Sequence, residues 1–158
     1  MTSPLPPLGG TTTVNASLER AFRFFTGSLT AWWPAEYHIG AADMAEVVME
    51  PRVGGRWFER GVDGSECDWG YVIAWEPPHR VVLAWQLNGQ WQYDPNLVTE
   101  VEVTFTPVSA GATRVELEHR NLERFGEHEE AVRKAIGSDE GWNGLLVLYA
   151  KAAQEEAA

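Results

Sequence analysis

Hydrophobic residues along the first third of the chain recur at helical spacing after a short β-branched run. The run Gly10–Val14 predicts a first strand, and the apolar spacing over Ser17–Thr26 predicts an amphipathic helix with Ser17 as its N-cap. The stretch SLTAWWP that follows predicts one further short turn of helix, which Pro34 ends. The chain therefore begins with the order strand, helix, short helix.

The period of the pattern then changes and predicts a series of strands, with clear alternation of apolar and polar residues in the last two. The turn at Asp63-Gly64 separates two of them, and short connections join most of the others. The six predicted strands are Glu46–Glu50, Arg56–Arg60, Asp68–Trp75, Arg80–Leu87, Val98–Pro107 and 112–120. Alternation with short connections is typical of an antiparallel meander that has one apolar and one wet face.

Helical spacing returns at the C-terminal end. A charged helix is predicted over Glu127–Ile136, and a second helix begins after Gly137 with Ser138 or Asp139 as its cap. The apolar face of this second helix comprises Trp142, Leu145, Leu146, Tyr149 and Ala152. Because a single sheet must bury its apolar face, we expect an α+β fold in which a curved antiparallel sheet wraps around the long C-terminal helix.

The length of 158 residues predicts one domain, over residues 11–153. Three prolines within residues 1–10 predict an extended N-terminal tail, and residues 154–158 are expected to be a frayed helix end. The net charge of -11 argues against nucleic acid and anionic membrane surfaces as partners. The sequence contains no apolar run of about 18 residues, so no membrane span is predicted. The single cysteine, Cys67, fits a reducing compartment, so we expect a cytoplasmic protein.

Motifs for metal, nucleotide or covalent chemistry are missing from the sequence. The four histidines form no HxH or HxxxH pair, and Cys67 has no CxxC partner, so neither a metal site nor a cofactor is expected. No GxSxG, GxGxxG or GKS/GKT motif occurs. Glu66 and Asp68 beside Cys67 predict a raised thiol pKa and an unreactive side chain.

Several stretches together resemble one known family. They are SLTAWWP, PRVGGRWFERGVDGSE, WGYVIAWEPPHRVVLAW, TEVEVTFTP, TRVELEHRNLERFG and GWNGLLVLYA. The chain resembles the family of the C-terminal domain of the activator of Hsp90 ATPase, which belongs to the START-like superfamily. Within that family it resembles the bacterial members, which are usually single-domain. This resemblance implies the helix-grip fold, with two short helices after the first strand and a cavity between the sheet and the C-terminal helix. Relatives in the superfamily bind lipids, sterols, polyketides or phenolics, a few catalyse cyclisation or hydrolysis, and the Hsp90-related members are co-chaperones.

The eight tryptophans are either core residues or walls of that cavity. Trp32 and Trp33 are placed at its opening, and Trp91, in a long loop, is interpreted as part of a lid or of a partner contact. The residues expected to contact a ligand are Trp33, Trp57, Glu59, Trp69, Trp85, Val101, Val103, His119, Trp142 and Leu146.

The sequence leaves open the roles of two sets of polar residues, the carboxylates of one hairpin and one histidine. Glu59, Glu66 and Asp68 are either solvated hairpin charges or include one carboxylate that points inward. His119, on the apolar face of its strand, is either a hydrogen-bonded core residue or a base in the cavity.

The sequence predicts binding of a small hydrophobic ligand, either lipid-like or aromatic, without obligatory catalysis. Two alternatives are an enzyme of the cyclase or hydrolase type, with a buried Glu or His as acid or base, and a co-chaperone-like partner of an Hsp90-like chaperone. Formation of a homodimer is left open.

Overall fold

The structure, a computed structural model, describes residues 8–138 and 141–157. Seven strands form one antiparallel sheet in the order β1-β7-β6-β5-β4-β3-β2. The strands are β1 (Leu8–Val14), β2 (Met44–Met49), β3 (Arg56–Gly61), β4 (Glu66–Glu76), β5 (Arg80–Trp85), β6 (Thr99–Ser109) and β7 (Ala112–Arg120). The α-helices are α1 (Leu18–Gly27), α2 (Leu29–Trp32), α3 (Glu129–Ile136) and α4 (Trp142–Ala157), and Ala35–Tyr37 and Leu122–His128 form 3-10 turns.

The predicted α+β helix-grip fold is confirmed: the sheet curls as a half-barrel, and α4 packs against β1, α1 and α2. Alternation places one side of β6 and β7 in the core, as predicted. The buried residues of these two strands include Val101, Val103, Phe105, Val115, Leu117 and His119. Their outer side carries ion pairs instead, in which Arg120 bonds to Glu100, Glu102 and Glu118.

Strand β1 begins at Leu8, earlier than the sequence predicted, and so includes part of the predicted tail. Gly9 makes this pairing possible, because a Cβ atom at that position would lie 1.8 Å from the carbonyl oxygen of Leu117 on β7. Gly9 thus serves close approach to β7, whereas a Cβ atom at Gly10 would lie 2.2 Å from Oδ1 of Asn143 on α4. Residues 1–7 of the predicted tail lie outside the described residues.

Local capping and long-range hydrogen bonds fix the helices. The Ser17 hydroxyl accepts from the backbone N–H of Arg20 at 3.3 Å, which confirms the predicted N-cap of α1. The buried Tyr149 hydroxyl of α4 donates to the carbonyl oxygen of Ala21 at 2.7 Å and ties α4 to α1. Ser138 donates to the carbonyl oxygen of Ala135, and the alternative cap, Asp139, lies outside the described residues. Helix α4 runs on to Ala157, through most of the predicted frayed end, and residue 158 is not described.

A β-bulge between β3 and β4 aims one tryptophan at the interior. Trp57 pairs with Gly70 while Phe58 pairs with Asp68, so Trp69 is the extra residue on β4. A bulge bends its strand and redirects the side chain of the extra residue. Trp69 is fully buried as a result.

Candidate ligand-binding site

A cavity of about 430 Å³ lies between β4, β5, helix α4 and the segment that follows α2. Its lining residues are Trp33, Tyr37, His38, Ile39, Trp69, Trp85, Leu87, Trp91, Ala135, Ile136, Ser138, Gly141, Trp142 and Leu145. Five of the eight tryptophans are in this set, and no Asp, Glu, Lys or Arg is among the described lining residues. A concave, mostly apolar space of this volume is the common form of a small-molecule site.

Glu59 fixes the side chain of Trp69 in the cavity wall, although Glu59 itself does not line the cavity. Its carboxylate is buried and accepts from the Trp69 indole N–H at 3.0 Å and from the backbone N–H of Ile39 at 2.5 Å. One oxygen thereby joins strand β4 to the segment 38–40, both of which line the cavity. Because its N–H is used by Glu59, the Trp69 ring adds apolar surface to the wall.

A chain of hydrogen bonds holds the wall at Trp142 and Trp85. The Trp142 indole N–H donates to Nδ1 of His119 at 3.1 Å, which requires the neutral His119 ring to carry its proton on Nε2. That Nε2–H donates to the Thr99 hydroxyl at 2.8 Å, and Thr99 in turn donates to the carbonyl oxygen of Trp85. Burial lowers the pKa of His119 to about 3, so the imidazole is neutral at physiological pH.

Edge-to-face and tilted ring contacts connect the tryptophans of the wall. The ring of Trp33 lies 5.1 Å from that of Trp69 and 6.0 Å from that of Trp142, measured between centroids. The ring of Trp85 lies 5.5 Å from that of Trp142. Aromatic pairs at these distances and angles stabilise one another beyond their buried area. The wall is therefore a packed aromatic surface whose rings hold each other in place.

Trp91 stands at the mouth of the cavity. Its side chain is 41% exposed and its backbone is in the left-handed region, with φ of 59°. The loop that carries it is ordered by Asn88, whose side chain accepts from the backbone N–H groups of Gln90 and Gln92. A Cβ atom at Gly89 would lie 2.2 Å from the Cβ of His128, so this loop packs closely on the turn before α3. The loop therefore places one exposed indole beside the opening.

His38 is the one histidine among the described lining residues. Its Nδ1 lies 2.7 Å from the carbonyl oxygen of Gly40. A carbonyl oxygen only accepts, so Nδ1 carries a proton and the neutral ring has its lone pair on Nε2. The site thus has an imidazole of defined tautomer on an otherwise apolar wall.

The three carboxylates of the β3–β4 hairpin have different environments. Glu59 is buried, whereas Glu66 and Asp68 remain partly exposed and pair with Arg56 on the outer side of the sheet. Burial raises the pKa of the neighbouring Cys67 thiol, and the charges of Glu59 and Asp68 raise it further, which confirms the expected direction.

The structure divides the ten predicted ligand contacts into two layers. Trp33, Trp69, Trp85 and Trp142 line the cavity. The other six, which do not line it, are Trp57, Glu59, Val101, Val103, His119 and Leu146. Glu59 and His119 contribute indirectly, because each holds the indole of a lining tryptophan.

The remaining lining residues come from segments without strong periodicity. Tyr37, His38 and Ile39 follow Pro34 in a stretch whose pattern predicts neither helix nor strand, so no signal marked them as part of a site. Ile136 and Leu145 lie on apolar helix faces, which the sequence assigns to the core. Trp32, which was placed at the opening, packs inside instead, with its ring 5.4 Å from that of Tyr149. It is buried there because α2 turns it toward α1 and α4 and leaves only Trp33 at the cavity.

Two other kinds of feature are missing from the described part of the chain. Across residues 8–138 and 141–157, no group of three or more His, Cys, Asp or Glu side chains is arranged to hold a metal ion. None of the helices in this part of the chain combines the length and the apolar character needed to cross a bilayer.

Comparison with known proteins gives relatives that share the fold over nearly the whole chain. A structure described as an anthrahydroquino-γ-pyrone synthase, Txn09, complexed with SUM, is 35% identical, with a TM-score of 0.67 and coverage of 96% of this chain and 99% of the other. The self-sacrificing resistance protein CalC from Micromonospora echinospora is 31% identical, with a TM-score of 0.71 and 96% of each chain covered. The Aha1 dimer from Colwellia psychrerythraea, at 16% identity, TM-score 0.62 and coverage of 95% and 97%, shares the fold. A search of curated proteins finds no match.

The family model described as Activator of Hsp90 ATPase homolog 1-like protein matches residues 15–148. This range includes strands β2 to β7, helices α1 to α3 and the first seven residues of α4, and it begins directly after β1. Together with two relatives above 30% identity, it shows that the chain belongs to the Activator of Hsp90 ATPase homolog 1-like family.

Proposed function

We propose that the protein binds an uncharged, planar aromatic small molecule in the tryptophan-lined cavity. The observation that carries this proposal is the wall itself, in which five indoles surround a space of about 430 Å³. Aromatic faces bind other aromatic rings by offset stacking and edge-to-face contacts. The described lining has no ammonium or guanidinium group, and the chain carries a net charge of -11, so entry of a ligand that is already an anion in solution is disfavoured.

The shape of the wall favours a rigid ring system over a flexible acyl chain. Trp69 and Trp142 use their indole N–H groups on Glu59 and His119 behind the wall, and those bonds fix the rings. A preorganised wall loses little conformational entropy on binding, and a rigid ligand also loses little. A fused aromatic system satisfies both conditions.

One of the relatives supports this ligand class and also suggests a second function. One relative is described as an anthrahydroquino-γ-pyrone synthase and another as a self-sacrificing resistance protein. Because one fold supports different functions, membership of the family does not choose between binding and reaction. Catalysis on the bound aromatic compound is the second candidate, and the 35% identity to the synthase favours it.

A co-chaperone role receives less support from the surface. An exposed patch around Trp32, Trp33 and Trp91 would favour a protein partner, but Trp32 and Trp33 are buried. Trp91 alone of these three is exposed, and it belongs to the mouth of the cavity.

Quenching of tryptophan fluorescence by anthraquinone tests the binding proposal. Trp85 and Trp57 form a matched pair, since their ring centroids are 5.8 Å apart and only Trp85 lines the cavity. We expect saturable quenching by the wild type, and an affinity about two- to thirteenfold weaker for Trp85→Phe, from the loss of about 0.5–1.5 kcal/mol of stacking. Trp57→Phe, with circular dichroism to check its fold, should retain the wild-type affinity. Absence of saturable quenching by the folded wild type would contradict the proposal.

A further inference from the structure

His38 differs from the other lining residues in its chemistry. Its ring is held at Nδ1 by the carbonyl oxygen of Gly40 at 2.7 Å, so Nε2 is the nitrogen available to accept a proton. A histidine fixed at one nitrogen by a backbone or carboxylate acceptor presents the other in a defined orientation and tautomer. That arrangement is suited to proton transfer with a bound molecule.

The segment that carries His38 is anchored from inside the fold. The buried Glu59 carboxylate accepts from the backbone N–H of Ile39, the residue next to His38. Gly40 packs on the same carboxylate, because a Cβ atom there would lie 3.3 Å from Oε2 of Glu59 and 3.5 Å from the Cβ of Cys67. Glu59 is therefore a positioning residue that fixes both the Trp69 ring and the His38 backbone.

The surroundings of His38 make it the base of the site. The described lining residues include no carboxylate and no amine. The one buried histidine among the described residues, His119, uses both ring nitrogens on Thr99 and Trp142 and does not line the cavity. A proton released by a ligand in this cavity thus has the His38 imidazole as its acceptor.

The aromatic wall determines which kind of hydroxyl group meets this base. A hydroxyl group on the ring system of a ligand that stacks on these tryptophans is a phenol. A phenol is far more acidic than an alkyl alcohol, so it transfers a proton to an imidazole far more readily than an alkyl alcohol does.

We propose that His38 recognises a phenolic hydroxyl group on the aromatic ligand and accepts its proton, an inference that rests on the proposed function. In this step the O–H bond of the phenol breaks, its electron pair stays on the phenolate oxygen, and the proton bonds to Nε2. The product is a phenolate paired with an imidazolium whose Nδ1–H still donates to Gly40. The substrate class is therefore a hydroxylated polycyclic aromatic compound, and activation of its oxygen as a nucleophile is the activity that the site supports.

Two dyes that differ by one hydroxyl group separate this inference from binding alone. Anthraquinone and 2-hydroxyanthraquinone are titrated into the protein, and affinity is read from tryptophan quenching. The visible spectrum of the bound hydroxylated dye reports directly whether it is phenol or phenolate, at a pH where the free dye is protonated. We expect the wild type to bind the hydroxylated dye about tenfold more tightly, the equivalent of one added hydrogen bond, and to show the phenolate band.

The variant His38→Gln provides the decisive comparison, with His79→Gln at an exposed histidine as its matched control. A glutamine amide can still donate to the Gly40 carbonyl oxygen but cannot accept a proton, so the phenolate band and the preference for the hydroxylated dye should both disappear. His79→Gln should keep both the band and the preference. Circular dichroism and the thermal midpoint establish that each variant is folded.

The possible outcomes distinguish the two proposals. If the wild type binds anthraquinone but shows neither a preference for the hydroxylated dye nor a phenolate band, the role of His38 is overturned and the binding function stands. A phenolate band that persists in folded His38→Gln also overturns it. Failure of both dyes to bind the folded wild type overturns the binding function and the role of His38 together.

Discussion

The indole nitrogen of Trp142 lies 3.1 Å from Nδ1 of His119 and donates a hydrogen bond to it. This contact joins a wall residue of the cavity to a fully buried imidazole on β7. Because Nδ1 accepts and Nε2 donates to Thr99, protonation of His119 would break the first of these bonds and bury a charge. The pair therefore couples the cavity wall to the protonation state of one core residue.

We expect this histidine to lower stability in acid. The pKa of His119 is about 3 in the folded chain, against 6.5 for the unperturbed side chain in the unfolded chain. Below pH 6.5 the unfolded state therefore binds a proton that the folded state does not. The free energy of unfolding should fall by up to about 1.4 kcal/mol for each pH unit between these two values. The full contribution of neutral His119 to the free energy of unfolding is present above pH 6.5 and is lost as the pH approaches 3.

Urea unfolding at several pH values across this interval measures the effect. The slope of stability against pH should be smaller in His119→Gln than in the wild type, while other titrating groups are common to both. His79→Gln, a change at an exposed histidine, is the control. Equal slopes in the wild type and His119→Gln would contradict the prediction.

Replacement of Glu59 by leucine should destabilise the fold. It leaves the Ile39 backbone N–H and the Trp69 indole N–H without their acceptor, and each orphaned buried donor costs about 1–3 kcal/mol. Glu66→Leu, at an exposed carboxylate on the same hairpin, should cost much less, because solvent screens its ion pairs with Arg56 and Arg60. Chemical denaturation of the two variants gives the comparison, and similar losses in both would show that the buried hydrogen bonds matter little.

Trp91→Asn should weaken aromatic ligands without disturbing the loop. Asparagine tolerates the left-handed backbone that position 91 adopts, so the change removes the ring and keeps the conformation. We expect anthraquinone affinity to fall about two- to thirteenfold, as for one lost stacking contact. Tyr93→Asn changes an exposed ring of the same loop outside the cavity wall, and it should bind like the wild type. Equal affinities of the wild type and both variants would show that Trp91 does not contribute to ligand binding.

Cys67 should react slowly with iodoacetamide at neutral pH. Burial, followed by the charges of Glu59 and Asp68, raises the pKa of its thiol, and the thiolate is the reactive form. Alkylation of the folded protein should be at least about tenfold slower than alkylation of the same protein in denaturant. Cys67→Ser provides the background signal. Equal rates in the folded and unfolded protein would argue that the thiol is neither shielded nor shifted.

Much of the fold was predictable from local patterns. The strand predicted over residues 112–120 is β7 as observed, and Ser17 caps α1 as its position before the apolar run indicated. Both predictions rest on short-range physics, since side-chain alternation and backbone capping depend on residues only a few positions apart. The family resemblance supplied the way in which these elements pack together.

The site depended on relationships that no local pattern contains. Glu59 and Glu66 lie on one hairpin and look alike in sequence, yet only Glu59 meets two donors inside the fold. Trp69 enters the wall because a register shift with β3 makes it the extra residue of a bulge. His38 lines the cavity because its segment is tied to Glu59, 21 positions away from it along the chain.

The sequence by itself therefore determined which segments are helix and strand, and which faces of them are apolar. Periodicity records the face on which a side chain lies, and that information is complete within a single element. Only the tertiary structure decided which of the buried side chains border empty space and which lie behind them. That distinction depends on how tightly distant elements pack, as when Trp57 and Trp85, with rings 5.8 Å apart, are separated into a core residue and a wall residue.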